Sequence, residues 1–485
     1  MSKRLGRLSN SAREEWRHPL DRDADRVLYS SAWRRLRGIT QVTPMTGGVN
    51  GVHDRQIHSL KVAQVGMRAA EFLKHKFGPK ERKRIDPRAV YVAGLVHDMG
   101  HSPFGHVGEK ELQTILSDPN YPWALEDSFE GNAQTFRCLV RNSRRKKSYM
   151  GMDLTFEALA ASVKYPWGHS DASDIMPSSL KERYMKDGKL SKWGYYENDK
   201  EIWEIVRERL GMEPGQVSVN AVLMDIADDI TYAVHDIHDY FRSGAVPLHV
   251  IGAGLSMEES AGASEQFQQF DAYAQTALIL KHRPTPQEVS KMRLWLNKEI
   301  KYPVSPYEDS EDDRIMLHQF ESSAVAAASN AISLRDGAPQ LPSHVALALE
   351  YLKELTWFYV INHPALSASQ QGQRRIISSL HLWLCEWGYE CLKGDKSKSS
   401  RNQRRLPKRF VDLIKRQRRR LQRNDKDGWE YGEIIDDTQN DDETRPMISR
   451  AAVDYISELS DAEAASLFRH LGGTHPQVEP AGWLY

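Results

Sequence analysis

The stretch from Val219 to Tyr240 can hide its apolar residues in only one way, as a helix with two unlike faces. At about 100° per residue, Asp228, Tyr232, His235, Asp236 and Asp239 fall in one narrow stripe. Ile226, Ile230, Ala233 and Ile237 fall on the opposite side. One face is therefore expected in the core, while the other is either a solvated surface or the wall of a site. Most of the remaining sequence carries the same helical period, and little of it shows the alternation of a half-buried strand. The expected fold is all-α.

Other segments refine that expectation. Arg88 to His97 reads as a short apolar helix that Gly100 can end in a left-handed conformation. Residues 299–316 read as a loop, with helical pattern resuming from Leu317 to Leu392. Charge then segregates. Lys396 to Arg423 holds thirteen Lys and Arg against one acid, Asp412, and Asp425 to Glu443 is mainly acidic. The basic run is either a solvated insertion or a contact for nucleic acid or a regulatory nucleotide. Its lone aromatic, Phe410, provides poorly for base stacking.

Balanced charge, 66 basic against 66 acidic residues, gives no global field to attract polyanions. The three cysteines, Cys138, Cys385 and Cys391, form no CxxC pair, which argues against a zinc finger or a disulfide framework. No apolar run approaches the roughly 18 residues of a membrane span, and the N-terminal sequence lacks the apolar core of a signal peptide. The expectation is a cytoplasmic protein without a membrane contact. No phosphate loop of the GxxxxGK type offers a nucleotide site.

The chemistry gathers elsewhere. His58, the adjacent pair His97-Asp98, and Asp228 offer two imidazoles and two carboxylates. Such a mixed set suits Mn²⁺, Fe²⁺, Co²⁺ or Mg²⁺ and leaves octahedral positions for water and a phosphate oxygen. A lone His-Asp dipeptide says little, so the flanks carry the reading. They are RQIHSLKVAQVG from Arg55, VHDMGHSPFGHVGE from Val96, DIADDITYAVHDIHD from Asp225 and DRDADRVLYSSAWRRLRGITQVTP from Asp21. In order and spacing these resemble the bacterial dGTP triphosphohydrolase branch of the HD phosphohydrolase superfamily. The resemblance is strong over residues 14–240 and continues weakly through Lys164-Tyr165-Pro166 and RAAVDYISELSD, Arg450 to Asp461.

The resemblance implies an HD-domain helical core with an N-terminal nucleotide-binding segment over residues 1–260, and further helices over 261–485. It implies one divalent ion, Mn²⁺ or Mg²⁺, on His58, His97, Asp98 and Asp228. His106 and Glu109 match the catalytic histidine and acid, His101 the histidine near the α-phosphate, and Glu130 and Asn132 a supporting pair. A histidine oriented by a carboxylate can activate water or protonate a leaving oxygen. Pro103, Gly105 and Gly108 suit the tight turn that presents these groups. Arg55 and Lys164 match phosphate-facing cations, Tyr232 the aromatic against the sugar, Gln41 and Asp236 the partners of the 3′-hydroxyl, and Arg450 a C-terminal arginine near the nucleotide. Helical spacing independently puts Tyr232 one turn after Asp228 and Asp236 one turn further.

The implied reaction converts a dNTP, dGTP by preference, to deoxynucleoside and triphosphate. The implied assembly is a homo-oligomer, a tetramer or hexamer, and some relatives bind single-stranded DNA. Two segments depart from the family pattern. Asp454 to Asp461 reads DYISELSD where the family is closer to DYIAGMTD, and Gln370 to Arg374 reads QQGQR where a glutamate is usual. Both lie in the half that shapes the base pocket or couples subunits, so hydrolysis is carried further than guanine preference. Two other readings stay open. One is an HD phosphohydrolase acting on nucleoside monophosphates, guanosine tetraphosphate or cyclic dinucleotides. The other is a single-stranded-nucleic-acid-binding protein with a regulatory HD site.

Overall fold

In the computed structural model, Val219–Arg242 is one unbroken helix and the architecture around it is helical. The residues described are 3–10, 16–41, 54–79, 84–147, 151–186, 189–257, 262–362, 364–392, 405–417, 419–423, 429–434 and 441–473. Among them the strands form three two-stranded antiparallel hairpins. Among the described residues, no helix is long and apolar enough to cross a membrane. The residues group into two compact units that interleave in sequence.

One unit comprises residues 41–94 and 219–369. Helix Arg55–Lys76 starts at Asp54, whose carboxylate accepts the Ile57 N–H at 2.9 Å. Small residues let its neighbours approach. A Cβ on Gly94 would lie 2.5 Å from the Ala63 backbone, and one on Gly66 would lie 2.8 Å from Val90. Ile230, Ala233 and Ile237 are fully buried, as the periodicity requires. The opposite stripe is not solvated. His235, Asp236 and Asp239 are buried as well, so this helix is covered on both faces and its polar residues need partners.

The expected resumption of helix at Leu317 comes earlier, with Glu311–Ala331 beginning at a capping box between Ser310 and Asp313. Within the span expected to be helical to Leu392, Ser333–Arg335 pairs antiparallel with Ala338–Gln340. Asp336 and Gly337 take φ of +53° and +77° at the turn, conformations open to Asp-Gly and closed to most residues. Helix Ser343–Thr356 follows and widens into a π-turn over Trp357–Ile361.

The other unit comprises residues 1–40, 95–218 and 370–485. Its core joins Leu112, Leu116, Trp123 and Phe129 to Leu380 and Leu384 of helix Pro364–Leu392 and to Ile448 and Val453 of helix Asp441–Ile456. The basic run needs a correction here. Lys408–Gln417 is an ordered amphipathic helix whose Phe410, Leu413 and Ile414 are buried in that core. Their i, i+3, i+4 spacing makes an apolar stripe that the surrounding charge conceals. Phe410 packs on Tyr455, with ring centroids 5.7 Å apart, and is not offered to a base. Arg409 pairs with Glu458, and Arg416 donates to the Asn142 carbonyl at 2.7 Å. Residues 396–404 and 418 of the run lie outside the described residues.

Arg137 is the central charge of this unit and is fully buried. Its Nε donates to Asp454 at 2.8 Å, Nη1 to Asp199 at 2.9 Å and Nη2 to Gln417 at 2.7 Å. Burial alone would favour neutral Asp454, but the Arg137 charge outweighs it and holds that carboxyl below the ordinary range. Arg137→Met should therefore lower unfolding free energy by about 3–5 kcal/mol, because buried Asp454 loses its counter-charge and buried Asp199 is left with Arg141 alone. A carboxyl with a depressed folded-state pKa contributes stability above its unfolded value and loses it as pH falls through the folded one. Urea denaturation of both proteins should thus show a gap at neutral pH that narrows as pH falls below about 4. A gap that does not change with pH would separate Asp454 from the effect.

Candidate active site

Helix Pro87–Val96 stops one residue short of His97, and His97 to Gly100 form a turn. Gly100 does not adopt the left-handed conformation expected of it. It is needed for closeness instead, because a Cβ there would sit 2.2 Å from both the Gly131 carbonyl oxygen and the Thr135 nitrogen. Thr135 Oγ1 accepts the Gly100 N–H at 2.9 Å and donates to the His97 carbonyl at 3.0 Å. Arg35 donates to the carbonyls of Met99 and His101 at 3.0 and 2.7 Å. The turn is thereby tied to two distant segments.

The next turn does follow the glycine reading. Phe104 and Gly105 have φ of +64° and +56°, and a Cβ on Gly108 would lie 2.1 Å from the Pro103 carbonyl oxygen. Asp461 accepts the Phe104 N–H at 2.7 Å. Helix His106–Leu116 then begins, with Glu109 in its first turn, where the helix dipole favours an anion.

Glu109 is the hub of the charged groups around these turns. Its Oε2 lies 3.1 Å from His106 Nδ1 and 3.6 Å from His101 Nε2, while Oε1 accepts the Gly131 N–H at 3.1 Å. His101, His106 and Glu109 offer ligand atoms all within 4.8 Å of one another. His101 Nδ1 is also 3.3 Å from Asp98 Oδ1, so the chain of contacts runs from Asp98 to His106. His101 and Glu109 are buried, whereas the His106 side chain is 69% exposed. Of the three, His106 is the one open to solvent.

Sequence reasoning missed the cation that holds this cluster together. Lys192 donates to Glu130 Oε1 at 2.9 Å and lies 3.4 Å from Glu109 Oε1. Burial works against ionised Glu109, yet Lys192, His106 and His101 together outweigh it and hold its carboxyl well below the usual range. For Glu130, burial exceeds the help of Lys192, and the neighbouring Glu109 charge adds to it, so that carboxyl is raised. Glu130 also caps helix Gly131–Arg137, accepting the Asn132 and Ala133 N–H groups at 2.5 and 3.1 Å. Asn132 Nδ2 donates back to Glu130 at 2.9 Å. An isolated lysine more than eighty residues from Glu109 carries no spacing signal.

Arg450 is buried and donates to Asp127 and to the Ser128 carbonyl, with its guanidinium carbon 3.7 Å from the Tyr196 ring centroid. Lys164 is half-buried after helix Phe156–Ala161.

In the other unit, His58 Nε2 lies 3.0 Å from Asp228 Oδ1. Arg55 is buried, and its Nη2 reaches the Gln41 carbonyl at 3.4 Å. Tyr232 is half-buried and Asp236 buried. Burial first, then the Asp236 charge, push the Tyr232 hydroxyl above its ordinary range, which keeps it neutral. His235 Nδ1 contacts Lys61 at 2.8 Å and Glu321 at 3.1 Å, which explains how that stripe tolerates burial.

His58 with Asp228, and His97 with Asp98 at 3.4 Å, are two imidazole–carboxylate pairs, each within its own unit. These donor types fit a borderline-to-hard divalent cation.

The sequence profile of the HD domain matches residues 55–233. A deoxyguanosinetriphosphate triphosphohydrolase-like protein of Corynebacterium diphtheriae is 30% identical over 385 residues, covering 78% of this chain and 82% of that protein. A protein of the same description from Shewanella pealeana is 27% identical over 494 residues, covering 97% and 95%. A deoxyguanosinetriphosphate triphosphohydrolase-like protein 2 of Mesorhizobium japonicum is 34% identical over 245 residues, and that match spans about half of each chain, 48% and 47%.

Replacing Lys192 with Met should raise the titration midpoint of Glu109. The two buried carboxylates would then share a site with no cation between them, and like charges disfavour double ionisation. Carboxyl-carbon NMR across the acid range reads this directly. A Glu109 midpoint that does not move would show that the histidines alone keep it charged.

Proposed function

Because the chain belongs to the deoxyguanosinetriphosphate triphosphohydrolase-like family of HD-domain proteins, we propose that it hydrolyses a deoxynucleoside triphosphate, dGTP by preference, to the deoxynucleoside and inorganic triphosphate. The observation that carries this reading is the exposed His106 held by the buried, ionised Glu109 at 3.1 Å. With Nδ1–H donating to Glu109, His106 presents Nε2 as its basic nitrogen. That nitrogen can take a proton from a water attacking the α-phosphorus and return it to the 5′-oxygen as the bond to phosphorus breaks.

We assign His58, His97, Asp98 and Asp228 to one divalent cation, Mn²⁺ or Mg²⁺. When bound it supplies positive charge to the phosphate and makes water a better nucleophile. His101, between Asp98 and Glu109, aligns the α-phosphate. Arg55 and Lys164 neutralise the phosphates, with Arg55 held from behind by the Gln41 carbonyl. Tyr232 lies against the sugar, Asp236 and Gln41 take the 3′-hydroxyl, and Arg450 approaches the base. Cytoplasmic location, self-assembly and a single-stranded DNA contact extend the same resemblance.

The deciding experiment is chromatography of the products after incubation with each dNTP and Mn²⁺. Deoxyguanosine and intact triphosphate are expected from dGTP. Primary release of dGMP with pyrophosphate, or of dGDP with phosphate, would overturn the reading in favour of a different phosphohydrolase.

The ribose assignment makes a separate prediction. A 2′-hydroxyl would meet the Tyr232 ring, so Tyr232→Ala should raise kcat/KM for GTP relative to dGTP even where both fall. If Tyr232 merely packs, stability drops while the ratio of the two constants stays as it was.

A further inference from the structure

Tyr232 has a partner that no part of the proposed reaction uses. Lys353 stands in the last turn of helix Ser343–Thr356, just before the π-turn. Its ammonium lies 5.8 Å from the Tyr232 ring centroid. Two carboxylates fix that ammonium, Asp229 at 2.6 Å and Glu350 at 2.8 Å. The Lys353 side chain is only 13% exposed. Burial would favour the neutral amine, but Asp229 and Glu350 outweigh it and raise the pKa, so Lys353 is charged.

Lysine has three donors and no acceptor. Two N–H groups are directed at carboxylates, and the remaining charge faces an electron-rich ring. Asp229 and Tyr232 are three residues apart on helix Val219–Arg242, so they share one face of it. Glu350 is on the lysine's own helix and is steadied from behind by His282, 3.8 Å away. The ammonium therefore cannot follow the ring. The ring must come to the ammonium, and cation–π attraction selects the rotamer that does so.

We propose that Lys353 is a positioning residue that holds the Tyr232 ring at a fixed distance from the sugar and so sets discrimination between deoxyribo- and ribonucleotides. This rests on the assignment of Tyr232 to the sugar. Lys353 touches no reacting atom in this account and acts through the ring alone. A ring released from the ammonium gains rotamer freedom and leaves room for a 2′-hydroxyl.

The test is a double-mutant cycle on the ratio of kcat/KM for dGTP to that for GTP, using the full chain with Mn²⁺. Lys353→Met should lower the ratio about three- to tenfold, the range of one cation–π contact. Lys353→Arg, which keeps the charge, should restore most of it. In a Tyr232→Ala background Lys353→Met should change the ratio no further. An equal drop in both backgrounds overturns the proposal, as does an equal loss for both nucleotides with no change in ratio.

A second readout needs no turnover. With 3-fluorotyrosine incorporated, the Tyr232 fluorine resonance, assigned by its loss in Tyr232→Phe, should shift in Lys353→Met and stay near its place in Lys353→Arg. An unmoved resonance in Lys353→Met overturns the proposal. If that resonance moves while Tyr232→Ala leaves the nucleotide ratio unchanged, the sugar assignment itself has failed, and the specificity role of Lys353 falls with it.

Discussion

A carboxylate as deeply buried as Glu109 would ordinarily take up a proton. It stays charged because donors surround it: the His106 ring, the Gly131 backbone N–H and the Lys192 ammonium, with His101 close by. That balance orders its neighbours in turn. Ionised Glu109 settles which nitrogen of His106 carries the proton and leaves the other pointing outward. It also makes Lys192 indispensable to Glu130, since two adjacent carboxylates in a dry setting cannot both remain charged without a cation between them.

The backbone of the motif loops is satisfied with the same economy of partners. Polar groups at helix ends and in turns must be hydrogen-bonded if water cannot reach them. Here Arg35 gathers the Met99 and His101 carbonyls, Thr135 bridges His97 and Gly100, and Asp461 takes the Phe104 N–H. Asp461 belongs to the C-terminal DYISELSD segment, and so does Asp454 beneath Arg137. That segment departs from the family pattern, yet its two aspartates have definite structural work.

What could be read from the sequence follows the range of each interaction. The His106–Glu109 contact spans three residues of one helix, and the core face of Val219–Arg242 obeys a simple period, so both were legible. The burial of the opposite stripe was not, because its cover, Lys61 and Glu321, comes from other helices. Lys192 was invisible for the same reason. Gly100 was noticed for the wrong property, since a need for close approach and a need for a left-handed turn leave the same letter. The Asp336-Gly337 hairpin and the helix Lys408–Gln417 were hidden by their surroundings, the first between helical patterns and the second by dense basic charge.

The unit that holds Glu109 is assembled from three separated stretches, residues 1–40, 95–218 and 370–485, while the other closes with residues 41–94 and 219–369. During synthesis the chain emerges from its N-terminus, so the second unit has all its parts first. Arg137 and Asp199 meet early, but Asp454 and the apolar residues that cover Trp123 and Phe129 arrive only with the final quarter of the chain. Until then an incomplete charge network and an open apolar face wait on the ribosome, a natural client for chaperones. A premature stop after residue 369 would leave one unit with its full complement of residues and strand the other half-built.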